Sequence, residues 1–247
     1  MKSVCFFMVY HKRFSLTRMS ISHMSDVIED FKKDGFEATG IVIGDDKRQE
    51  EFCSDRGIKH YMYPNDPLSY KFQFSWLTSI HAQKDYICWM GSNNLHSQEY
   101  WDKCKEKLSG KKTATFGSNK FVVMSTDPNK DETCVFNTRG KYLVSSGQFF
   151  LTYSLENSVD LFKVYNKDQT FDFDGKILEE MTNKWGWDII DLISEDPEDC
   201  LDIKDDLNIH SYESYISKTI YPRYLKRSEL IKKYVRLQEL IQGKYDE

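Results

Sequence analysis

Four short apolar runs alternate with four segments of helical periodicity in the opening 108 residues, and few folds satisfy that order. The runs are Val4–Tyr10, Ala38–Ile43, Ile58–Tyr63 and Tyr86–Met90. The last is too short for a free-standing helix and reads as a strand buried on both faces. Between the runs, Leu16, Met19, Met24, Val27, Ile28 and Phe31 recur at helical spacing, and Lys47–Arg56 forms a short polar helix. Phe72, Trp76, Leu77 and Ile80 share one face of a helix over Leu68–Gln83, and Ser97–Leu108 is a further helix. Gly35, Gly57 and Gly110 sit where helices stop. Such alternation builds a parallel sheet of Rossmann-like character.

Two features place a site at one end of that sheet. His11-Lys12-Arg13 follow the first strand, bringing cationic and donor groups where a phosphate can lie. Gly91-Ser92-Asn93-Asn94 follow the fourth strand. Ligands of open α/β sheets gather at the carboxyl ends of the strands. An Asn pair there is either a plain turn or part of such a site.

Beyond residue 112 the alternation lapses. Thr113–Ser125 and Cys134–Ser145 read as strands without an intervening helix, so the sheet becomes mixed. Asn157–Tyr165 and Lys176–Trp185 read as helices flanking a polar-aromatic loop, Phe171-Asp172-Phe173-Asp174-Gly175. Tyr215–Gly243 is largely helical, with a break at Pro222. The expected class is α/β, a mixed central sheet flanked by helices. Residues 1–210 form the main domain and 211–247 a basic helical C-terminal extension.

The composition, 40% hydrophobic and 30% charged, is that of a globular chain and argues against disorder. No apolar run approaches the roughly 20 residues that span a bilayer, and the N-terminus carries no signal-peptide pattern. The expectation is a soluble cytoplasmic protein that makes no use of a membrane. Cys5, Cys53, Cys88, Cys104, Cys134 and Cys200 are scattered, with no C-x-x-C pair, and read as buried free thiols. His11, His23, His60, His81, His96 and His210 show no metal-ligand spacing. The net charge of −5 conceals an asymmetry, with acids crowded between Asp188 and Asp206 and basic residues between Lys218 and Lys244.

Several segments stand in an order that is familiar: Ile43-Gly44-Asp45-Asp46, then Pro64-Asn65-Asp66-Pro67-Leu68-Ser69-Tyr70-Lys71-Phe72-Gln73, then Met90-Gly91-Ser92-Asn93-Asn94-Leu95. Ser146-Gly147-Gln148-Phe149-Phe150-Leu151-Thr152, Phe171–Gly175, Asp202-Ile203-Lys204 and Asn208-Ile209-His210 continue the series. In these pieces residues 3–210 resemble GT-A-fold nucleotide-sugar glycosyltransferases of the family-two type, in particular the soluble enzymes of tailed bacteriophages. The resemblance implies a UDP-sugar donor whose base and ribose are held by Tyr10, Lys12, Arg13 and Asp45 or Asp46. It implies that the helix start at Pro67 and Leu68 brings Lys71 and Gln73 to the donor, with Gly91, Ser92, Asn93, Asn94 and Lys204 near its diphosphate. Where the family carries an acidic pair for Mn²⁺ or Mg²⁺, this chain has Asn93 and Asn94. An amide oxygen such as that of Asn94 is a weak ligand for a hard cation. The expectation is therefore an active enzyme with relaxed metal dependence, its phosphates neutralised by Lys71, Lys204 and Arg13.

An inverting transferase needs a carboxylate at the acceptor hydroxyl, and the resemblance points to Asp174 or Asp172. By the same likeness the acceptor is 5-hydroxymethylcytosine, or another hydroxymethylated pyrimidine, in phage DNA. Arg223, Lys226, Arg227, Lys232, Lys233 and Arg236, interleaved with Tyr221, Tyr224 and Tyr234, suit contact with a phosphate backbone and stacking on bases. Reaching such a base requires opening or flipping the duplex. The alternatives are a glycan or small-molecule acceptor, and a non-catalytic nucleic-acid-binding protein on a degenerate fold of this kind.

Overall fold

In the computed structural model the described residues are 2–65, 67–110, 112–138, 143–144, 146–165, 173–205, 212 and 224–246, with the backbone alone for 173–175. The first half follows the expected alternation: β1 Ser3–Val9, α1 Phe14–Lys33, β2 Glu37–Gly44, α2 Arg48–Ser54, β3 Lys59–Met62, α3 Leu68–His81 and β4 Tyr86–Gly91. There follow β5 Asn94–His96, α4 Gln98–Ser109, β6 Thr115–Ser118, β7 Lys120–Ser125, β8 Cys134–Asn137 and β9 Gln148–Leu151. The remainder is α5 Thr152–Ser158, α6 Leu161–Val164, α7 Phe173–Trp185, β10 Ile190–Ser194, β11 Cys200–Lys204, α8 Arg227–Lys233 and α9 Val235–Ile241.

A seven-stranded sheet runs β10-β6-β9-β4-β1-β2-β3, and a second, four-stranded sheet runs β5-β11-β7-β8. In the large sheet β1 to β4 pair in parallel, while β9 runs antiparallel between β4 and β6. The sheet is therefore mixed. Val9 is level with Ile43 on one side and Gly91 on the other, so the carboxyl ends of three strands finish together.

Alternation along β1 sends its side chains to both faces. Val4, Phe6 and Met8 pack with Met24, Ile28 and Phe31 of α1, Cys53 of α2, and Trp101 and Cys104 of α4. Cys5 and Phe7 pack on the opposite face with Trp76 of α3, Leu155 of α5, and Ile177 and Met181 of α7. All six cysteines are free and buried, as expected. In the C-terminal segment Leu230, Tyr234 and Leu237 share a core with Leu16 and Met19 of α1 and with Val122 and Ile203 of the small sheet. Among the described residues no helix is long and apolar enough to cross a membrane.

Three local expectations are corrected, and the acidic stretch gains two strands that the sequence did not mark. Thr113–Ser125 is two strands rather than one, because Asn119 marks the point where the chain leaves the large sheet for the small one. Asn157–Tyr165 is not one helix: Asp160 interrupts it and caps α6 by accepting from the amides of Phe162 and Lys163. The loop over Phe171–Gly175 is shortened, since α7 already begins at Phe173, and residues 171 and 172 lie outside the described set. The acidic stretch holds two strands. In β11 every residue is buried between β5 and β7, with Asp202 and Lys204 neutralising each other, so charge density hides its strand character.

Candidate active site

The strand ends are shaped by one tight contact. Tyr10 follows β1, is 2% exposed, and lies flat over Gly44 at the end of β2. A Cβ at Gly44 would stand 1.8 Å from the Tyr10 ring. The phenol donates to the Asp46 carbonyl at 2.8 Å and meets His60 Nε2 at 2.9 Å. Tyr10 is thus a floor beneath the site, and its burial raises the phenol well above its ordinary value.

On this floor lies a buried cation. Lys71, in the first turn of α3, is completely buried. Its Nζ donates to the Tyr10 carbonyl at 2.5 Å and reaches Asn65 Oδ1 at 3.4 Å. Asp45 Oδ1 is 3.7 Å from Nζ and has no hydrogen-bond partner, whereas Asp45 Oδ2 is bonded to His11 Nδ1. Desolvation lowers the Lys71 ammonium to about 8, with the neighbouring Asp45 opposing the shift. The strand ends therefore hold an ammonium and a carboxylate side by side as a buried ion pair. His11, which the sequence placed at this end as a donor for a phosphate, bonds to Asp45 and completes the group.

The neighbouring Asp46 faces away. Its carboxylate forms a fork with Arg48 at 2.5 to 3.1 Å and also accepts the Arg48 amide, which holds it below the usual carboxylate range. Lys12 is exposed and Arg13 half-buried, the latter with Nε 3.6 Å from Asp205. Pro67 is extended and precedes Leu68, the first residue of α3. Gln73 is on another side of that helix, donating to the carbonyls of Leu161 at 3.1 Å and Tyr165 at 3.4 Å.

At the end of β4 the Gly91 amide donates to Ser146 Oγ at 3.0 Å, and Asn94 Oδ1 sits where a Gly91 Cβ would be, 1.9 Å from it. Ser92 is buried in the turn that follows. The Asn93 amide donates to Asp202 Oδ1 at 2.8 Å and to the Ile203 carbonyl at 2.7 Å, and Asn94 Nδ2 to the Leu201 carbonyl at 3.4 Å. Asp202 is also paired with Lys204 at 2.7 Å. The asparagines thus fasten the turn between β4 and β5 to β11 of the second sheet. Among the described residues no group of three or more His, Cys, Asp or Glu is arranged to hold a metal ion. With one neutralised carboxylate beside two uncharged amides, this strand end offers only a weak site for a hard divalent cation. Turnover is expected to persist in EDTA; its complete loss, restored by Mn²⁺, would contradict this.

Asp174 is the second residue of α7, and Asp172 lies outside the described residues. So do Tyr221 and Arg223 of the basic segment. Arg236 is forked onto Asp26 at 2.7 Å and bonded to Glu239 at 2.6 Å, and Lys233 is paired with Glu198 at 2.8 Å. Arg227 reaches the Thr126 carbonyl at 3.3 Å, while Lys226 and Lys232 are exposed.

No family model and no curated protein matches the chain, but solved structures do. TarS of S. aureus aligns with 98% of this chain at 11% identity and a TM-score of 0.55, the aligned part being 43% of TarS. TarS 1–349 in complex with UDP-GlcNAc gives 13% identity and a TM-score of 0.55 over 98% of this chain. The match covers 66% of that fragment, so the chain is shorter than either. Glucosyl-3-phosphoglycerate synthase from Mycobacterium tuberculosis, in complex with phosphoglyceric acid, aligns with 77% of this chain and 69% of its own at 10% identity and a TM-score of 0.51. With its mixed seven-stranded sheet between helices, the chain has the GT-A glycosyltransferase fold.

Proposed function

We propose that the protein transfers a sugar from a UDP-sugar to a hydroxyl acceptor, with inversion at the anomeric carbon. The observation that carries this is the cluster at the strand ends, where His11, Asp45 and the buried ammonium of Lys71 meet beyond β1 and β2. Uracil offers an N3–H donor next to a carbonyl acceptor. That edge is complementary to a carboxylate and an ammonium side by side, so a uracil would exchange the Asp45–Lys71 ion pair for bonds to both groups. Cytosine presents the reverse pattern, a bare N3 beside an amino donor. The likeness to a TarS complex with UDP-GlcNAc supports a uridine donor. Arg13 is the further cation offered for the diphosphate, whereas Lys204 is buried and held by Asp202.

The charge on Lys71 gives this reading a pH signature. Its ammonium is present below about pH 8 and lost above it. The donor KM is expected to rise as pH increases through 8, and Lys71→Arg is expected to remove the inflection. Unfolding does not produce the same effect. A lysine whose pKa is lowered by folding binds fewer protons when folded than when unfolded between about 8 and its ordinary value of 10.5, so stability rises with pH there.

For the acceptor we propose the hydroxymethylated pyrimidine of DNA, with the exposed Lys226 and Lys232 as its backbone contacts. The internal pairing of Lys233 and Arg236 favours the rival, a glycan. Mass spectrometry of hydroxymethylcytosine DNA and of glycan acceptors, each incubated with a panel of UDP-sugars, decides between them. Mass gain on DNA alone supports the first; gain on a glycan alone removes it. Failure to turn over any UDP-sugar, with or without acceptor, rejects the enzyme.

A further inference from the structure

We propose that Arg18, Arg48 and Arg56 form a row of cations that receives the phosphodiester backbone of the acceptor DNA, an inference that rests on the DNA reading above. Arg18 stands one turn into α1, its guanidinium carbon 4.0 Å from the centre of the Phe14 ring and 4.7 Å from that of Phe52. Arg48 lies over the same Phe14 ring at 4.6 Å, and Arg56 over Phe52 at 3.5 Å. These contacts order five side chains in a line: Arg48, Phe14, Arg18, Phe52, Arg56. Phe14 directly follows Arg13, and Arg48 is three residues beyond Asp45, so the line begins beside the strand ends.

The row is short of acceptors. Among the described residues, Arg18 Nε is buried with no hydrogen-bond partner, and the Arg56 guanidinium donates to the Phe52 carbonyl at 2.9 Å, with no carboxylate on either group. Asp46 is the acid that acts on Arg18, and its carboxylate is already forked onto Arg48. Glu50 and Glu51 of α2 are exposed and pair with none of the three. Burial and the like charges of Arg56 and Arg48 accordingly lower the Arg18 guanidinium from its usual value, against a weaker pull from Asp46. Cation–π attraction to the two rings offsets that repulsion only in part. A phosphate supplies what is missing, negative charge and oxygens in the forked geometry that a guanidinium matches. A line of such groups suits an extended polyanion better than one small anion. Each ring already carries two guanidinium groups, which leaves little face for a base to stack on, so the contact is to backbone and independent of base sequence. The C-terminal tail differs, since Lys233 and Arg236 are held by Glu198 and Asp26.

The test is fluorescence anisotropy of labelled single-stranded and duplex DNA with the wild type and Arg18→Gln/Arg56→Gln across a range of salt concentrations. Thermal unfolding and calorimetric titration of UDP accompany it. The wild type is expected to bind DNA with an affinity that falls steeply as salt rises. The double variant should bind about a hundredfold more weakly, the loss of two charge-assisted contacts. Its plot of log K against log salt should be shallower by about two, with UDP affinity unchanged. Arg18→Lys/Arg56→Lys keeps the charge and should keep the slope. Should the glutamine pair not fold, Arg56→Gln alone, expected to be about tenfold weaker with a slope shallower by about one, decides the matter. Affinity and slope unchanged in a folded variant overturn the inference. So does weaker binding with an unchanged slope, which marks lost shape rather than a lost phosphate contact. An equal loss of UDP affinity overturns it too, because the arginines would then serve the donor. A wild type that binds no DNA rejects the acceptor reading and this inference with it, whereas one that binds DNA through Lys226 and Lys232 instead overturns the inference alone.

Discussion

Asp174→Asn is expected to lower kcat by about 10²–10⁴-fold, the usual worth of a positioned general base, with donor KM nearly unchanged. The amide keeps the shape of the side chain and removes its ability to take the acceptor proton. A loss confined to kcat marks an interaction made in the transition state alone. The backbone is consistent with such a role. Asp174 stands in the opening turn of α7, and the next turns are fixed by Ile177 and Met181 in the core with Trp76 and Trp89. A base must be held to a fraction of an ångström, and a helix anchored in this way does that better than a free loop. Steady-state kinetics with the identified acceptor, alongside donor titration, checks it. Undiminished turnover would remove Asp174 from the mechanism and direct attention to Asp172.

Gly44→Ala is the second large expected effect, and it acts on the fold and the site together. The added methyl would stand 1.8 to 1.9 Å from two atoms of the Tyr10 ring, so either the ring or the β2 backbone must move. Tyr10 has little freedom to yield, being 2% exposed and bonded through its hydroxyl to Asp46 and His60. Overpacking of this severity is expected to cost about 3 kcal/mol, which for a chain of this length lowers Tm by roughly 6–12 °C. Donor affinity should fall as well, since Asp45 is the next residue and Lys71 is bonded to the Tyr10 carbonyl. Shortening the ring in Gly44→Ala/Tyr10→Leu should recover part of the stability. The measurement is thermal unfolding of the single and double variants, and additive losses would show that the two residues do not interact.

These two residues differ in how they are seen from sequence. Gly44 belongs to a strand end that alternation locates, yet nothing in Ile43-Gly44-Asp45-Asp46 reveals that a tyrosine from another strand occupies the space above it. Asp45 and Asp46 are adjacent and identical in type, and only the folded chain distinguishes them. Asp46 is forked onto Arg48 two residues on, and Asp45 faces Lys71 and His11. Lys71 has the composition of a surface residue but is completely buried, because Tyr10 and Asn65 supply the oxygens that let an ammonium leave water. The Asn93-Asn94 pair has two readings in sequence, a turn or a ligand set. Their amides bond to β11, more than a hundred residues away, and fasten the turn to it.

By itself the sequence determined what depends on neighbours along the chain. Apolar runs and helical stripes are local signals, and they specified a parallel α/β beginning, its strand ends and the burial of six thiols. Tertiary structure alone decided what depends on residues distant in sequence. It split one expected strand between two sheets, found strands inside an acidic stretch, and engaged Lys233 and Arg236 of the basic tail with acids from elsewhere in the chain. The physical reason is one of range. Hydrophobic periodicity is written into each segment, whereas a charge takes its meaning from the partner and the burial that folding brings to it.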